Sequence, residues 1–291
     1  MKQAILITAY KNYHHLEEII RFFDEDFELY IHIDKKSNIS DAELLNLRNY
    51  DVVKLVEQKY KVNWGGFNHL KSILFLSEQA LKNKGNKYFH LISGHDFPIK
   101  KIEYFKEFFK KNDREYIDYF SIPRIGAANN GYLDRFEYYN FYDLLDAKKP
   151  NENYRIKRII RIQKKLGFKR KTSSKMPKLY GGSTWWSLSR DCLDYVITFS
   201  NKNKFVLNRF KHTLCSEEFY FQTVIVNSPF VDKVANESLR HIDWVARNGN
   251  NPAVLDETDY DKLLQSNALF ARKFDYPFST GLFNKIKSFL K

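Results

Sequence analysis

Leu91–Lys100 reads LISGHDFPIK. The apolar run Tyr88–Ile92 stops at Ser93-Gly94, His95-Asp96 follow, and Pro98 withholds the backbone N–H that a strand needs to go on pairing. A buried strand ends this way where it delivers polar groups to the rim of a sheet, and in open α/β sheets ligands lie beyond the carboxyl ends of the strands. Spacing alone favours a plainer reading, a strand-to-helix turn with Asp96 as its cap. The rest of the chain decides between the two.

Upstream, Ala4–Tyr10 reads as a short apolar strand and His14–Phe23 as a helix, with Leu16, Ile19, Ile20 and Phe23 at helical spacing. Leu29–Ile33 is a second strand with Asp34 at its carboxyl end. Ser40 caps a helix through Leu47, and Val52–Val56 is a third strand. Trp64-Gly65-Gly66 opens a long helix with Leu70, Ile73, Leu74, Ser77 and Leu81 on one face. Strand and helix alternate up to Tyr88–Ile92, which predicts a parallel sheet with helices on both faces, a nucleotide-type α/β half.

Downstream, Ile102–Lys111 reads as a helix and Glu115–Ser121 as a strand. Over 124–178 the pattern loosens: aromatics (Phe136, Tyr138, Tyr139, Phe141, Tyr142) precede a run, Arg155–Lys178, of eleven Lys or Arg and no acid. No strands are assigned there. Leu179–Leu188 (LYGGSTWWSL) is a loop entering a strand, Asp191–Phe199 a helix, and Ser216 caps a helix from Glu217 through Val226. No repeat or linker divides the chain. We expect one domain over 1–291, with a nucleotide-binding half at 1–121, a second half at 122–280 and a basic tail at 281–291.

The composition narrows the partners. With 291 residues, 43% of them hydrophobic, the chain can bury a substantial core. No apolar run is long enough to cross a bilayer. MKQAILITAY resembles the start of a signal peptide, but Tyr10-Lys11-Asn12 interrupts it and a first strand fits better. Cys192 and Cys215 are the only cysteines, too few for a disulfide framework and suited to a reducing compartment. A net charge of +13 points to an anionic partner: nucleic acid, a membrane surface or a phosphorylated substrate. In Gly281–Lys291 (GLFNKIKSFLK), Phe283, Ile286, Phe289 and Leu290 fall near one helical face among Lys285, Lys287 and Lys291. Such a tail either lies on an anionic membrane or packs on the domain.

Few constellations can do chemistry. The eight histidines form no paired-ligand pattern. Asp24-Glu25-Asp26 and Asp259-Tyr260-Asp261 have the D-x-D form that binds a metal-nucleotide in many sugar transferases, yet each reads as a solvated turn or cap. P-loop, dinucleotide and nucleophile-elbow motifs are missing, and no nucleic-acid motif accompanies the basic run. Glu217-Glu218, at an expected first helical turn, would be held ionised by the helix dipole, as a general base must be before it takes a proton. Ordinary helix electrostatics accounts for the pair as well. Arg272-Lys273, in LFARKFD (Leu269–Asp275), form a compact cation pair able to offset a diphosphate's charge, or are simply surface cations.

Together LYIHIDKKS (Leu29–Ser37), Trp64 and its helix, LISGHDFPIK, GGSTWWSLSR (Gly181–Arg190), SEEFYFQT (Ser216–Thr223), LRHIDW (Leu239–Trp244) and LFARKFD resemble, in order, the core-2/I-branching β-1,6-N-acetylglucosaminyltransferases and peptide O-xylosyltransferases. The resemblance implies a GT-A fold, a Rossmann-like α/β sheet flanked by helices. It also implies an inverting transfer from a UDP-sugar to a glycan or lipid-linked hydroxyl, without metal. It assigns the catalytic base to Glu218 and diphosphate binding to Lys273, with Arg272 beside it and Arg247 or Arg240 as a second cation. Asp34 would face the uridine and Asp96 the donor. Trp244, Glu217 and Arg135, the last near Glu137, would border the acceptor. Animal members carry a membrane anchor, a stem and several disulfides. This chain opens on its first strand with two cysteines, so we expect a bacterial, cytoplasmic enzyme, peripheral at the inner membrane face, that builds a surface polysaccharide with N-acetylglucosamine. Other readings are UDP-xylose, UDP-glucose or UDP-galactose as donor, or a non-catalytic basic module that binds nucleic acid.

Overall fold

The computed structural model describes residues 1–291. The central sheet has six strands. Four are mutually parallel: β1 (Lys2–Ala9), β2 (Phe27–Ile33), β3 (Val53–Glu57) and β4 (Asn86–Ser93). The next three short strands in the chain are β5 (Asp96–Pro98), β6 (Tyr116–Ile117) and β7 (Phe120–Ser121), and β8 (Tyr180–Gly181) and β9 (Trp186–Ser189) follow. In space the order is β3-β2-β1-β4-β9-β6, with β9 antiparallel to both of its neighbours. This is the mostly parallel sheet that the strand–helix alternation predicts.

The continuous apolar character of β1, β2 and β4 has a direct cause: both faces of the sheet are covered. Ile5 and Ile7 of β1 point into one core cluster with Leu29, Ile31 and Ile92. Ala4 and Leu6 point into the other with Phe89 and Leu91. The first face is covered by α1 (Tyr13–Phe22), α2 (Asp41–Arg48), α4 (Ile102–Lys111) and the helix Thr280–Leu290. The second is covered by α3 (Phe67–Leu81) and the helices Arg190–Lys202 and Tyr220–Val226.

A second sheet begins where LISGHDFPIK leaves the first. β5 pairs antiparallel with β11 (Phe270–Arg272), which runs parallel to β10 (Arg240–Ile242). Asp96 stands opposite Arg272 in this ladder, so LISGHDFPIK and LFARKFD are neighbours. Pro98 sits in an edge strand, where its missing donor costs little.

Two expectations are corrected, one unassigned stretch gains an element, and one open alternative is decided in favour of packing on the domain. Glu115–Ser121 splits, β6 joining the central sheet and β7 pairing with β8. The unassigned stretch 124–178 contains a long helix, Pro150–Lys165. Ser216 caps nothing: Cys215 has a left-handed backbone, Ser216–Glu218 form a single 3-10 turn, and the helix starts at Tyr220. The terminal helix is no free amphipathic tail. Leu282, Phe283 and Ile286 are buried in the first core cluster, with the Phe283 ring 4.8 Å from that of Phe97, and Leu290 packs against the same cluster. Of its apolar face only Phe289 is left exposed.

Candidate active site

The tips of β1, β2 and β4 converge. Gly94 N–H donates to the Thr8 carbonyl at 3.0 Å and Asp34 N–H to that of Ala9 at 2.8 Å. The Asp34 carboxylate accepts from the backbone N–H groups of Lys36 and Val62, each at 3.0 Å, and so fixes the loops after β2 and β3. A pocket of about 370 Å³ opens between these loops and the start of α1, lined by Tyr10, Lys11, Asn12, Lys36, Ser37 and Ile39 among others. Asp34 is not among its lining residues; it braces the wall from behind.

One side of the rim is cationic. Asp96, fully buried, accepts from Ser93 N–H at 2.5 Å, and its other oxygen lies 3.5 Å from Arg272 Nε. Burial raises its pKa and Arg272 opposes the rise, so Asp96 buttresses Arg272. The Arg272 guanidinium lies over the Trp185 ring at 4.2 Å, and its Nη1 is buried without a hydrogen-bond partner. Lys273, half-buried, donates to Asn250 Oδ1 at 3.2 Å. Its pKa is lowered, first by burial; Asp275 opposes this, while Lys11, Arg272 and Lys148 press it further down. Lys11 pairs with Asp275 at 2.7 Å, and Lys148 lies over the Tyr10 ring at 4.8 Å. His95, its ring 5.2 Å from that of Tyr10, donates from Nδ1 to the Phe274 carbonyl; burial holds its pKa at about 3, so it is neutral. Four cations, Lys11, Lys148, Arg272 and Lys273, thus gather around few carboxylates.

The facing side carries the glutamates. Cys215 N–H donates to the Gly65 carbonyl at 3.0 Å, and Gly65 has φ +76°, a conformation that suits glycine. This turn sets Ser216–Glu218 against α3. Glu217, buried, lies 3.1 Å from His69 Nδ1, whose Nε2 is 3.4 Å from Thr8 Oγ1. Glu218 turns the other way and accepts from Arg135 Nη1 at 2.7 Å, with 35% of its side chain exposed. Its pKa is pushed up to about 7, first by burial and then by the charge of Glu217, while Arg135 holds it down. That is the reverse of the dipole stabilisation expected from sequence, because no α-helix begins at Glu218. The Glu218 carbonyl accepts from Gly182 N–H at 2.8 Å. A Cβ on Gly182 would lie 2.0 Å from the Asp118 carbonyl oxygen, so no larger residue fits.

Thr8 joins the two sides. Its hydroxyl reaches His69, whose other ring nitrogen meets Glu217, and its carbonyl holds Gly94, next to His95 and the segment of Lys273. Glu217 and Lys273 therefore lie on segments that meet at the tip of β1, with Glu218 and Arg135 beside the first and Asp96 and Arg272 beside the second; the space between the two groups is the candidate cleft. Arg247 does not join them as a free cation: its guanidinium meets Asp259 at 2.6 Å, Asp256 at 3.2 Å and Asp243 at 3.5 Å. Arg240 is equally committed, donating to Ser187 Oγ and to the Leu91 and Trp186 carbonyls. Trp244 is 64% exposed on the loop after β10. Glu137 pairs with Lys169 at 2.7 Å. Of the D-x-D segments, Asp24 and Asp26 share Lys106, and Asp259 holds Arg247. No three His, Cys, Asp or Glu side chains gather in reach of one metal ion.

Sequence reading missed His69, Lys11, Lys148 and Trp185. Trp185, inside GGSTWW, and His69, in the helix after Trp64, lay in stretches already marked out; Lys11 and Lys148 had no local signal. Chemically, one side offers a carboxylate poised to take a proton near neutrality, and the other attracts an anion.

A family model described as "Core-2/I-Branching enzyme" matches residues 4–263. The chain is 26% identical over 273 residues to xylosyltransferase 2 of Canis lupus familiaris, a match covering 87% of this chain and 29% of that protein. It is 24% identical over 304 residues to xylosyltransferase 1 of Mus musculus, covering 97% and 29%. A shorter match, 40% over 99 residues, is to the beta-glucuronosyltransferase GlcAT14A of Arabidopsis thaliana, covering 33% and 22%. The chain spans less than a third of the length of these relatives.

Proposed function

Since the chain belongs to the core-2/I-branching enzyme family, we propose that it is a glycosyltransferase moving a sugar from a UDP-sugar to a glycan hydroxyl with inversion at the anomeric carbon. The acceptor hydroxyl attacks that carbon from the face opposite UDP. The new C–O bond forms as the bond to the diphosphate oxygen breaks, and Glu218 takes the hydroxyl proton. Lys273 and Arg272, with Lys11 and Lys148 behind them, offset the charge left on the diphosphate, the task a divalent ion performs elsewhere. The pocket beside Tyr10, Lys36 and Ser37 takes the nucleoside. Glu217, held by His69, and Arg135 meet the acceptor.

The observation that carries this reading is an under-neutralised cation cluster and a partly exposed, raised-pKa glutamate on segments that meet through Thr8 at the tip of β1. For the donor we favour N-acetylglucosamine, with β-1,6 branching, in a bacterial surface polysaccharide. UDP-xylose, UDP-glucose and UDP-galactose are the other candidates from sequence, and the relatives' names add glucuronic acid. The test is a thermal-shift and calorimetric screen of UDP and these UDP-sugars in EDTA. Ligand at about 100 times Kd adds about 2.7 kcal/mol, which raises Tm by about 5 °C. UDP and at least one UDP-sugar are expected to reach that shift without metal. A strict Mn²⁺ requirement would overturn the metal-free part, and no UDP-sugar binding under either condition the whole.

A further inference from the structure

The face formed by the helix Pro150–Lys165 and the segment that follows it to Lys178 takes no part in the cleft. Its eleven basic residues include one buried guanidinium, Arg170, which donates to the Phe136 and Arg209 carbonyls and to Thr213. Two more, Lys164 and Lys169, pair with Asp134 and Glu137. The remaining eight are exposed and have no carboxylate at ion-pair distance. Ile156 and Gln163 turn inward, the Gln163 amide bonding to both backbone groups of Tyr139. At helical spacing that directs Arg158, Arg161 and Lys165 outward. Beside these cations stand large apolar side chains open to solvent: Ile162 is 47% exposed, Leu166 74% and Phe168, one ring face of which stacks on Tyr139, 55%.

We propose that this face docks on an anionic lipid bilayer, with the cations at the headgroups and Ile162, Leu166 and Phe168 reaching past them into the acyl boundary. Charge complementarity selects an anionic surface. The apolar groups select lipid over nucleic acid, because aliphatic side chains such as Ile162 and Leu166 offer a phosphate backbone nothing and bases no stacking plane. The terminal helix, whose apolar face is buried, is not the contact. Through Lys164–Asp134 and Gln163–Tyr139 on the helix, and Lys169–Glu137 just after it, the docking face is tied to the segment that presents Arg135 to Glu218. Binding here would therefore set the glutamate side of the cleft in a fixed orientation to the bilayer.

The test is sedimentation of the full chain with vesicles of phosphatidylcholine, alone or mixed equally with phosphatidylglycerol, at physiological salt. Binding is expected to the mixed vesicles only. Each cation contributes roughly fivefold, so Arg158→Ala, Arg161→Ala and Lys165→Ala together weaken binding on the order of 100-fold. Ile162→Ser, Leu166→Ser and Phe168→Ser together leave binding at low salt and abolish it at high salt, where screening removes the charge term. All six side chains are exposed, so thermal melting confirms that both variants fold. Lys285→Ala with Lys291→Ala, on the terminal helix, leaves binding unchanged. The proposal is overturned by no binding to the mixed vesicles, by binding indifferent to either triple substitution, by loss with the Lys285 and Lys291 changes, or by single-stranded RNA held by this face more tightly than vesicles. Docking does not depend on the transferase reading, since UDP-sugar binding is measured separately.

Discussion

Along one side of the cleft Lys11, Lys148, Arg272 and Lys273 stand close together, and burial pulls Arg272 and Lys273 towards losing their protons. Along the other, Glu217 and Glu218 are adjacent, and burial and mutual repulsion push Glu218 towards keeping its proton. Each side holds a charge that its surroundings oppose and that a substrate of the opposite character would relieve. The loop Asp243–Asp259 makes the contrast plain. There Arg247 meets three carboxylates within 3.5 Å and has nothing left to offer a ligand. What separates a candidate site from an ordinary ion cluster is a shortage of partners, not the number of charges.

The largest effect expected comes from removing the charge of Glu218 alone. Glu218→Gln keeps the shape and the Arg135 contact but takes no proton, so kcat should fall by about 10²–10⁴. UDP affinity should stay within about twofold, because the diphosphate is read by the opposite side. Full turnover would remove Glu218 from the role of base, and an equal loss of UDP affinity would erase the division between the two sides. Stability offers a second readout. The folded pKa of about 7 lies above the ordinary 4.5, so the native state holds a proton that the unfolded chain has released. Stability therefore falls as pH rises from about 4.5 to 7. The glutamine variant escapes that loss and should melt above the parent at pH 8, with the advantage gone at pH 4.

A smaller effect separates the two kinds of cation. Lys273→Ala should weaken UDP binding by about 10–100-fold, the loss of one charge-assisted contact. Arg247→Ala should leave UDP affinity within about twofold yet lower stability by about 1–3 kcal/mol, because buried Asp259 loses its partner. Calorimetry and urea unfolding on both variants measure this. If Arg247→Ala cost as much UDP affinity as Lys273→Ala, compensated and uncompensated charge would not be a useful distinction here.

The strand tips were legible because a parallel strand buried on both faces shows as an unbroken apolar run, and Asp34 and Ser93 mark where two of the runs stop. The second sheet was not. β5, β10 and β11 are three residues each, too short to show a period, and β5 pairs with a strand far along the chain. Arg135 meets Glu218 across 83 residues and lies in a stretch where no regular strand or long helix announces itself. Spacing could not choose between Glu217 and Glu218; the resemblance chose, and the fold supplies a physical difference, with Glu217 buried against His69 and Glu218 partly exposed beside Arg135. Ser216 misled because a serine before acids and an apolar run is the pattern of a cap. The left-handed backbone of Cys215, which displaces the helix start, leaves no mark in sequence. The terminal helix shows that one amphipathic pattern serves a core as well as a membrane.

The finest test of the glutamate side uses two substitutions of opposite sign. If Glu218 is the base, kcat rises with pH along a limb centred near 7, because only the ionised form accepts the proton. Arg135 favours the ionised form, so Arg135→Gln should move the limb to higher pH. Glu217 disfavours it, so Glu217→Gln should move the limb to lower pH. Each shift is small beside the loss in Glu218→Gln, but a merely structural disturbance would not displace the limb in opposite directions according to the charge removed. A limb that stays in place in both variants would mean that another group sets the pH dependence. Shifts of the same sign would mean that the two neighbours act through the fold, not through the carboxylate between them.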